Sequence, residues 1–430
     1  MKKNLIAFLI FFSLIGLKIP AHSETENFTE IDRYADNTPA RFTANVKTLT
    51  QYLIVPARTE KQKARVIFRW IAKNIRYHLA GYLREETRDN SAETVLKTRR
   101  GVCAGYAQLF AAMAKEAGLK VQIIIGDAKM PMNFKPNAPE TEGHAWNAVE
   151  IEGKWHLLDA TGGGGSHWND KLKPFAEIIT NHFFLIPPDK LIYSHFPKDD
   201  KWQLLNPKIT KEQFLKLPNI FFGYWNHEIK LISPQQDIRE TGSSIKIQFK
   251  APDNLVMYGF LLKGNTVLNR NATINTQQIM KYTYVYFNKQ GHDYTLHAVF
   301  PEKGLHYLVV VARKKNEPQT FMQPVILYKI NAKSKGNNSF PLAVPQFYEE
   351  NVVLVTPLSG DFSAGTRVKF TLKSHKAVEM AIYGTGLYTI FRRTGETFEA
   401  VARIPKGQFY IMAKFSGNSQ YKPLLVFNGR

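Results

Sequence analysis

The chain has 430 residues, with 57 Lys and Arg against 36 Asp and Glu for a formal charge of +21, and a single Cys. Its 44% hydrophobic and 13% aromatic residues can bury a core, which excludes a disordered chain, and at roughly 100 to 200 residues per domain the length implies several domains. One Cys excludes an intrachain disulfide and a Cys-rich zinc site, so packing alone must hold the fold.

From the N-terminus, Lys2 and Lys3 precede an apolar stretch over 5–17 and the small-x-small triplet Ala21-His22-Ser23. That is the pattern of a signal peptide, with 1–23 removed near Ser23 and the product secreted or periplasmic. The stretch is too short to span a bilayer. The basic balance predicts attraction to an anionic surface such as lipid phosphate or acidic glycan. No tight Lys/Arg run interleaved with aromatics occurs, so specific nucleic-acid binding is not expected.

Over 60–77, Ala64, Ile67, Phe68, Ile71 and Ile75 recur at helical spacing and predict an amphipathic helix. Asn90-Ser91 then reads as an N-cap for a short helix over 92–97, stopped by Arg99-Arg100-Gly101. In the following segment Tyr106, Leu109, Phe110, Met113 and Ala117 form one stripe ending at Gly118. A helix with that stripe carries Cys103 on its first turn.

The period then changes to two. Val121-Gln122-Ile123-Ile124-Ile125 predicts a strand, a Pro-containing loop spans 129–142, and the segments either side of Glu152-Gly153 predict a hairpin. Helices followed by an antiparallel sheet make an α+β domain. Residues 161–200 read as loops, with the Gly162 to Gly165 run as a flexible rim, and Thr210 with Gln213 reads as a capping box. Beyond them an internal repeat appears: Ser233-Pro234 and its flanks recur as Thr356-Pro357 and its flanks, and both copies alternate apolar and polar residues in short segments. Two β-sandwich modules are expected, of a kind that binds or orients.

A lone Cys is usually a small buried hydrophobe. Cys103 departs from that default because a helix N-terminus favours the thiolate and because Gly101 permits close approach. If Glu152-Gly153 is a two-residue turn, His144, Trp146 and Glu150 share a face with Asp159, Leu157 and Trp155, and His144 and Asp159 become diagonal neighbours. A thiol, an imidazole and an orienting carboxylate are the parts of an acyl-transfer nucleophile: Cys103 attacks, His144 moves the proton and Asp159 holds the tautomer. The backbone N–H of Cys103 is an expected oxyanion donor. Trp146, Trp155, Tyr106 and Gly101 are expected around the substrate pocket. His156, His167 and His182 lack the helical spacing of a zinc motif, so no metal or other cofactor is expected.

Four blocks carry a family resemblance: RVIFRWIAKNIRY, TRRGVCAGYAQLF, GHAWNAVEIEGKWHLLDAT and FLIPPDKLIYSHFPKDDKWQLL. Together they resemble the transglutaminase-like superfamily, in particular the kyphoscoliosis peptidase type. The resemblance covers roughly 60–218 and extends more loosely into the repeats. It implies a papain-like transglutaminase core, helices packed on an antiparallel sheet, with a triad at Cys103, His144 and Asp159. Cys103 is followed by Ala104-Gly105-Tyr106 and not by the Trp typical of the animal crosslinking transglutaminases, so calcium-dependent crosslinking is not implied.

The expected organisation is therefore a signal peptide over 1–23, a transglutaminase-like cysteine hydrolase domain over 24–218, and β-sandwich modules over 219–332 and 343–430. The expected function is cysteine-dependent acyl transfer on protein or peptide amide bonds, peptidase-like. Crosslinking or glutamine deamidation by the same residues is the first alternative, and a non-catalytic scaffold that binds through its β-modules is the second.

Overall fold

The computed structural model describes residues 27–78, 89–129, 141–164, 181–263, 284–318, 323–337, 339–417 and 420–430. The expected signal peptide, most of the Pro-containing loop, Gly165 and His167 lie outside the described residues.

The N-terminal half opens with helices α1 (Thr29–Asp36), α2 (Val46–Leu53) and α3 (Glu60–Asn74). Asn45 and Thr59 cap α2 and α3, each side chain accepting from a backbone N–H three residues on, which satisfies a donor that the helix leaves without a partner. The expected continuation of α3 to Tyr77 fails: Ile75 is extended, and Arg76–Tyr77 forms a two-residue strand, β1. It pairs in parallel with β2 (Arg100–Gly101), which follows α4 (Ala92–Thr98). Ser91 caps α4, and Arg99 ends it in the left-handed conformation at φ 55°.

Helix α5 (Cys103–Glu116) follows at once, with Cys103 its first residue and no side-chain cap at its N-terminus. Gly118 at φ 79° stops it. The buried stripe Tyr106, Leu109, Phe110 and Met113 packs with Phe68, Trp70 and Ile71 of α3 in one core cluster. That cluster fixes where the first turn of α5 stands.

Strands β3 (Val121–Lys129), β4 (Thr141–Ile151), β5 (Lys154–Leu158) and β6 (His195–Pro197) form an antiparallel sheet in the order β5-β4-β3-β6. The β4–β5 turn has two residues, Glu152 at φ 51° and Gly153 at φ 75°, and Ile151 stands opposite Lys154. Helices on an antiparallel sheet make this half α+β. Buried Asn147 on β4 donates from Nδ2 to the Ala107 carbonyl at 3.1 Å, which ties the strand carrying His144 to the helix carrying Cys103.

The C-terminal half is two β-sandwiches. In the first, the strands Lys230–Ser233, Ser244–Lys250, Asp293–Val299 and Val285–Gln290 face a sheet built mainly of Leu255–Lys263, Gly304–Lys314 and Gln323–Ala332. The second repeats this layout: Val353–Thr356 and Arg367–Lys373 occupy the places of Lys230–Ser233 and Ser244–Lys250. Buried residues between the sheets of both sandwiches join in one apolar cluster, while Phe260, Leu262, Tyr307, Val309, Val311 and Leu327 of the first form a separate one. Between the sandwiches, Arg313 is buried and pairs with Glu349.

Candidate active site

The site forms where the uncapped end of α5 meets the middle of the sheet. Cys103 is half-buried, whereas His144 and Asp159 are buried at 6% and 3% exposure. Cys103 is thus the most exposed of the three, while its partners stay dry.

His144 lies on β4 opposite Gly126 of β3. Its Nε2 is 3.1 Å from Oδ2 of Asp159, which leaves Nδ1 for the thiol. Burial pushes the Cys103 thiol up, but the hydrogen bond and charge of His144, with the Ala145 amide, outweigh it and bring the net shift down. Burial alone would lower the pKa of His144. The charge and hydrogen bond of Asp159, then those of Cys103, raise it to about 10 instead. For Asp159, burial again works toward the neutral form, and His144 and His195 together hold the carboxyl well below its usual range. Each of these partners favours the charged form of its neighbour: thiolate at Cys103, imidazolium at His144 and carboxylate at Asp159.

Asp159 does not continue β5, as the hairpin reading had it. The strand ends at Leu158, and Asp159 caps the short helix α6 (Ala160–Gly163), with Oδ1 accepting from the Thr161 N–H at 2.8 Å. The start of the glycine run is thus helical, not a flexible rim. A Cβ on Gly162 would lie 2.8 Å from the Phe183 ring and 2.9 Å from Asp159 Oδ2, and one on Gly163 only 2.3 Å from Phe68. Glycine here permits the close packing that sets the carboxylate.

A second histidine completes the cluster. His195 is 5% exposed, and its Nε2 lies 3.4 Å from the same Oδ2. The two imidazoles meet edge-on with centroids 5.1 Å apart, and the indole of Trp146 packs beside both, stacked on His144 at 6.0 Å and edge-on to His195 at 5.0 Å. His144, Asp159 and His195 bring donor atoms within 4.8 Å of one another. Both Nε2 atoms are hydrogen-bonded to Oδ2, which accounts for the spacing without an ion.

A family model described as the transglutaminase-like superfamily matches residues 47–160, and one described as the KY-like, immunoglobulin-like domain matches 211–343. The chain is similar to kyphoscoliosis peptidase of Homo sapiens, 31% identical over 245 residues that make up 56% of this chain and 36% of that protein. It is 27% identical to Hillarin of Drosophila melanogaster over 226 residues, 49% of this chain and 27% of that one. It is 26% identical to the Lim and transglutaminase domain protein ltd-1 of Caenorhabditis elegans over 262 residues, 56% and 35% of the two chains. The chain carries a transglutaminase-like core of the kyphoscoliosis-peptidase type. It spans about a third or less of the length of these relatives.

Within this transglutaminase-like core, three residues expected around the pocket stand elsewhere. Tyr106 is buried and donates its hydroxyl to the Ile75 carbonyl at 2.6 Å, locking α5 to the end of α3. Trp155 sits opposite Glu150, near the far end of β4 from His144, and packs edge-on against Trp202 at 5.1 Å. Gly101 is buried in β2 beside α4, where a Cβ would meet Val95 at an ordinary 3.4 Å contact. Trp146 is at the site, but at 1% exposure it backs the imidazoles and lines no open pocket. His195 was missed because a three-residue strand inside 161–200 gives too little period to read. The HFP triplet in the fourth block was its one signal.

Gly126 matters for the same cluster. A Cβ there would lie 2.2 Å from the Phe196 carbonyl, 2.6 Å from the Trp146 ring and 2.8 Å from the Pro197 Cα. Two of these three neighbours are backbone and cannot rotate away. Gly126→Ala is expected to cost about 3 kcal/mol through overpacking and to displace β6, read by urea unfolding. A cost below about 1 kcal/mol would mean that β6 is not held against Gly126.

Proposed function

We propose that the protein is an exported cysteine-dependent acyl transferase acting on protein or peptide amides, with hydrolysis as its main outcome. The observation that carries this reading is the thiol of half-buried Cys103 set against His144, whose other nitrogen lies 3.1 Å from Asp159. The thiolate adds to the amide carbonyl. His144 then delivers its Nδ1 proton to the departing nitrogen as the C–N bond breaks, leaving a thioester on Cys103 and a neutral imidazole. Water loses a proton to that imidazole and attacks the thioester, which releases a carboxylic acid and restores the thiolate–imidazolium pair. A lysine amine in place of water gives a crosslink. Cys103 is the first residue of α5, so its N–H is among those that the helix ladder leaves free to bind an oxyanion.

Lys2, Lys3, the apolar stretch over 5–17 and Ala21-His22-Ser23 support export. The charge of +21 favours an anionic surface as partner, lipid phosphate or acidic glycan. The two sandwiches, joined by contiguous apolar packing, orient the core on it.

The test is to incubate candidate protein substrates with the wild type and with Cys103→Ala, and to read the peptides by mass spectrometry. Proteolysis predicts new termini, deamidation a gain of about one mass unit on Gln, and crosslinking linked peptides, each absent with Cys103→Ala. Identical peptides from both proteins would overturn the enzyme reading and favour a scaffold.

A further inference from the structure

The carboxylate of Asp159 is buried, so each of its contacts has to be accounted for. Oδ1 accepts from the Thr161 N–H at 2.8 Å. Oδ2 has two imidazole nitrogens in reach, Nε2 of His144 at 3.1 Å and Nε2 of His195 at 3.4 Å. A single imidazole on Oδ2 would suffice for an orienting carboxylate, so the second one needs a reason. His195 is no passive core residue, because its other nitrogen is also engaged: Nδ1 lies 2.7 Å from the Ser194 hydroxyl oxygen.

These contacts fix the tautomer. A carboxylate oxygen only accepts, so Nε2 of His195 must carry the proton, and Nδ1 must then accept from the Ser194 hydroxyl. The Leu191 carbonyl, 3.2 Å from that hydroxyl, is the longer alternative acceptor and gives way. Burial lowers the pKa of His195, against the opposing hydrogen bond to Asp159, which keeps the ring neutral with one N–H to give. His195 lies beyond the segment matched by the transglutaminase-like model and before the one matched by the immunoglobulin-like model.

We propose that His195, its tautomer set by Ser194, is a positioning residue of the Cys103 site: its Nε2–H fixes Oδ2 of Asp159 in the orientation that faces His144. The proposal rests on the reading of Cys103 as a nucleophile. It assigns His195 no contact with substrate. Without that second donor, Oδ2 is held by His144 alone and can turn out of line with it, and a carboxylate out of line gives less support to the imidazolium that keeps the thiol ionised.

The titratable groups facing His195 are Asp159 at the start of α6, His144 on β4 and His182 on the turn Asn181–Phe183. Burial, with the charge of Lys190, lowers the pKa of His182 to about 4, so it stays neutral across the working range. Lys129, on the neighbouring strand, sends its ammonium away to the Leu217 carbonyl.

Because the chain has one Cys, iodoacetamide labelling read by intact mass reports Cys103 alone. The experiment compares its pH profile in the full-length wild type, His195→Gln and His195→Leu, with EDTA present. Gln places an amide N–H where Nε2 stands but cannot titrate. The expected result is a wild-type profile for His195→Gln and, for His195→Leu, an upward shift of about one pH unit, a tenfold slower reaction on the acid limb. No shift in His195→Leu, or an equal shift in both variants, overturns the proposal; the second outcome would mean that the ring only fills space. If His195→Leu does not fold, Ser194→Ala decides: an upward shift supports the proposal, and an unchanged profile overturns it. The readout needs no substrate. A thiol that depends on His195 without any acyl transfer would defeat the proposed function alone, and acyl transfer with a profile indifferent to position 195 would defeat this proposal alone.

Discussion

Asp159→Asn is expected to cut acyl transfer by about three to four orders of magnitude, the scale seen when an orienting carboxylate is lost from such a triad. Three N–H donors converge on Asp159, from Thr161, His144 and His195. An amide offers only one accepting oxygen. If it faces the two imidazoles, its NH2 opposes the Thr161 N–H; if it faces Thr161, the NH2 opposes both rings. Either way a buried donor loses its partner, which costs about 1 to 3 kcal/mol of stability. The pH dependence has a definite sign. The folded pKa of His144 is raised from 6.5 to about 10, so its stabilisation is fully present below 6.5 and is lost as pH rises through about 10. The stability gap between wild type and Asp159→Asn, measured by urea unfolding, should therefore narrow over that range. A constant gap would mean that His144 carries no charge in the folded protein.

Arg65→Ala is expected to destabilise the N-terminal half by about 3 kcal/mol, the low end for breaking a buried ion pair. Arg65 is 1% exposed on α3 and makes a two-pronged pair with Asp32 of α1 at 2.7 and 2.5 Å. The same guanidinium bonds the Asn181 side chain at 2.6 Å and lies over the rings of Phe28 and Phe184. Asn181 opens the turn whose Phe183 carbonyl accepts the Asp159 N–H at 3.0 Å. Arg65 therefore braces the segment behind the carboxylate as well as the helix pair. In an Arg65→Ala background, Asp32→Ala should cost much less than it does alone, since both groups serve one contact. Additive costs in urea unfolding would contradict the pairing. Arg65→Met separates charge from packing, because it keeps the apolar stem.

Much of the core was legible because its signals are local. The 3.6-residue stripe from Tyr106 to Ala117 placed Cys103 at a helix start, and the stop at Gly118 bounded it. The Glu152-Gly153 turn has a short menu of geometries, so the face shared by His144, Trp146 and Trp155 followed from the sequence. The Thr210–Gln213 capping box is present with both of its hydrogen bonds. The repeat emerged because each copy alternates over the same short segments.

What escaped was set by distance and by tertiary contact. Alternation gives the face on which Trp155 lies but not its separation from His144 along the strand. Periodicity put Tyr106 on the buried stripe, yet its hydroxyl found the carbonyl of Ile75 just beyond α3, which no local pattern encodes. Asp159 reaches His144 by leaving the strand to cap a helix, a turn that glycine at 162 and 163 makes sterically possible. His195 arrives from a segment with no period of its own, held by β3 through the backbone pairs Ala128 with His195 and Gly126 with Pro197.

The central claim is an ionised sulfur at the start of α5, and the pH profile of iodoacetamide labelling at the single Cys of the wild type tests it most directly. Labelling should reach half its maximal rate well below the free-thiol value of about 8.5. Half-maximal labelling at or above that value would mean that Cys103 is an ordinary thiol and that the His144–Asp159 pair does not act on it.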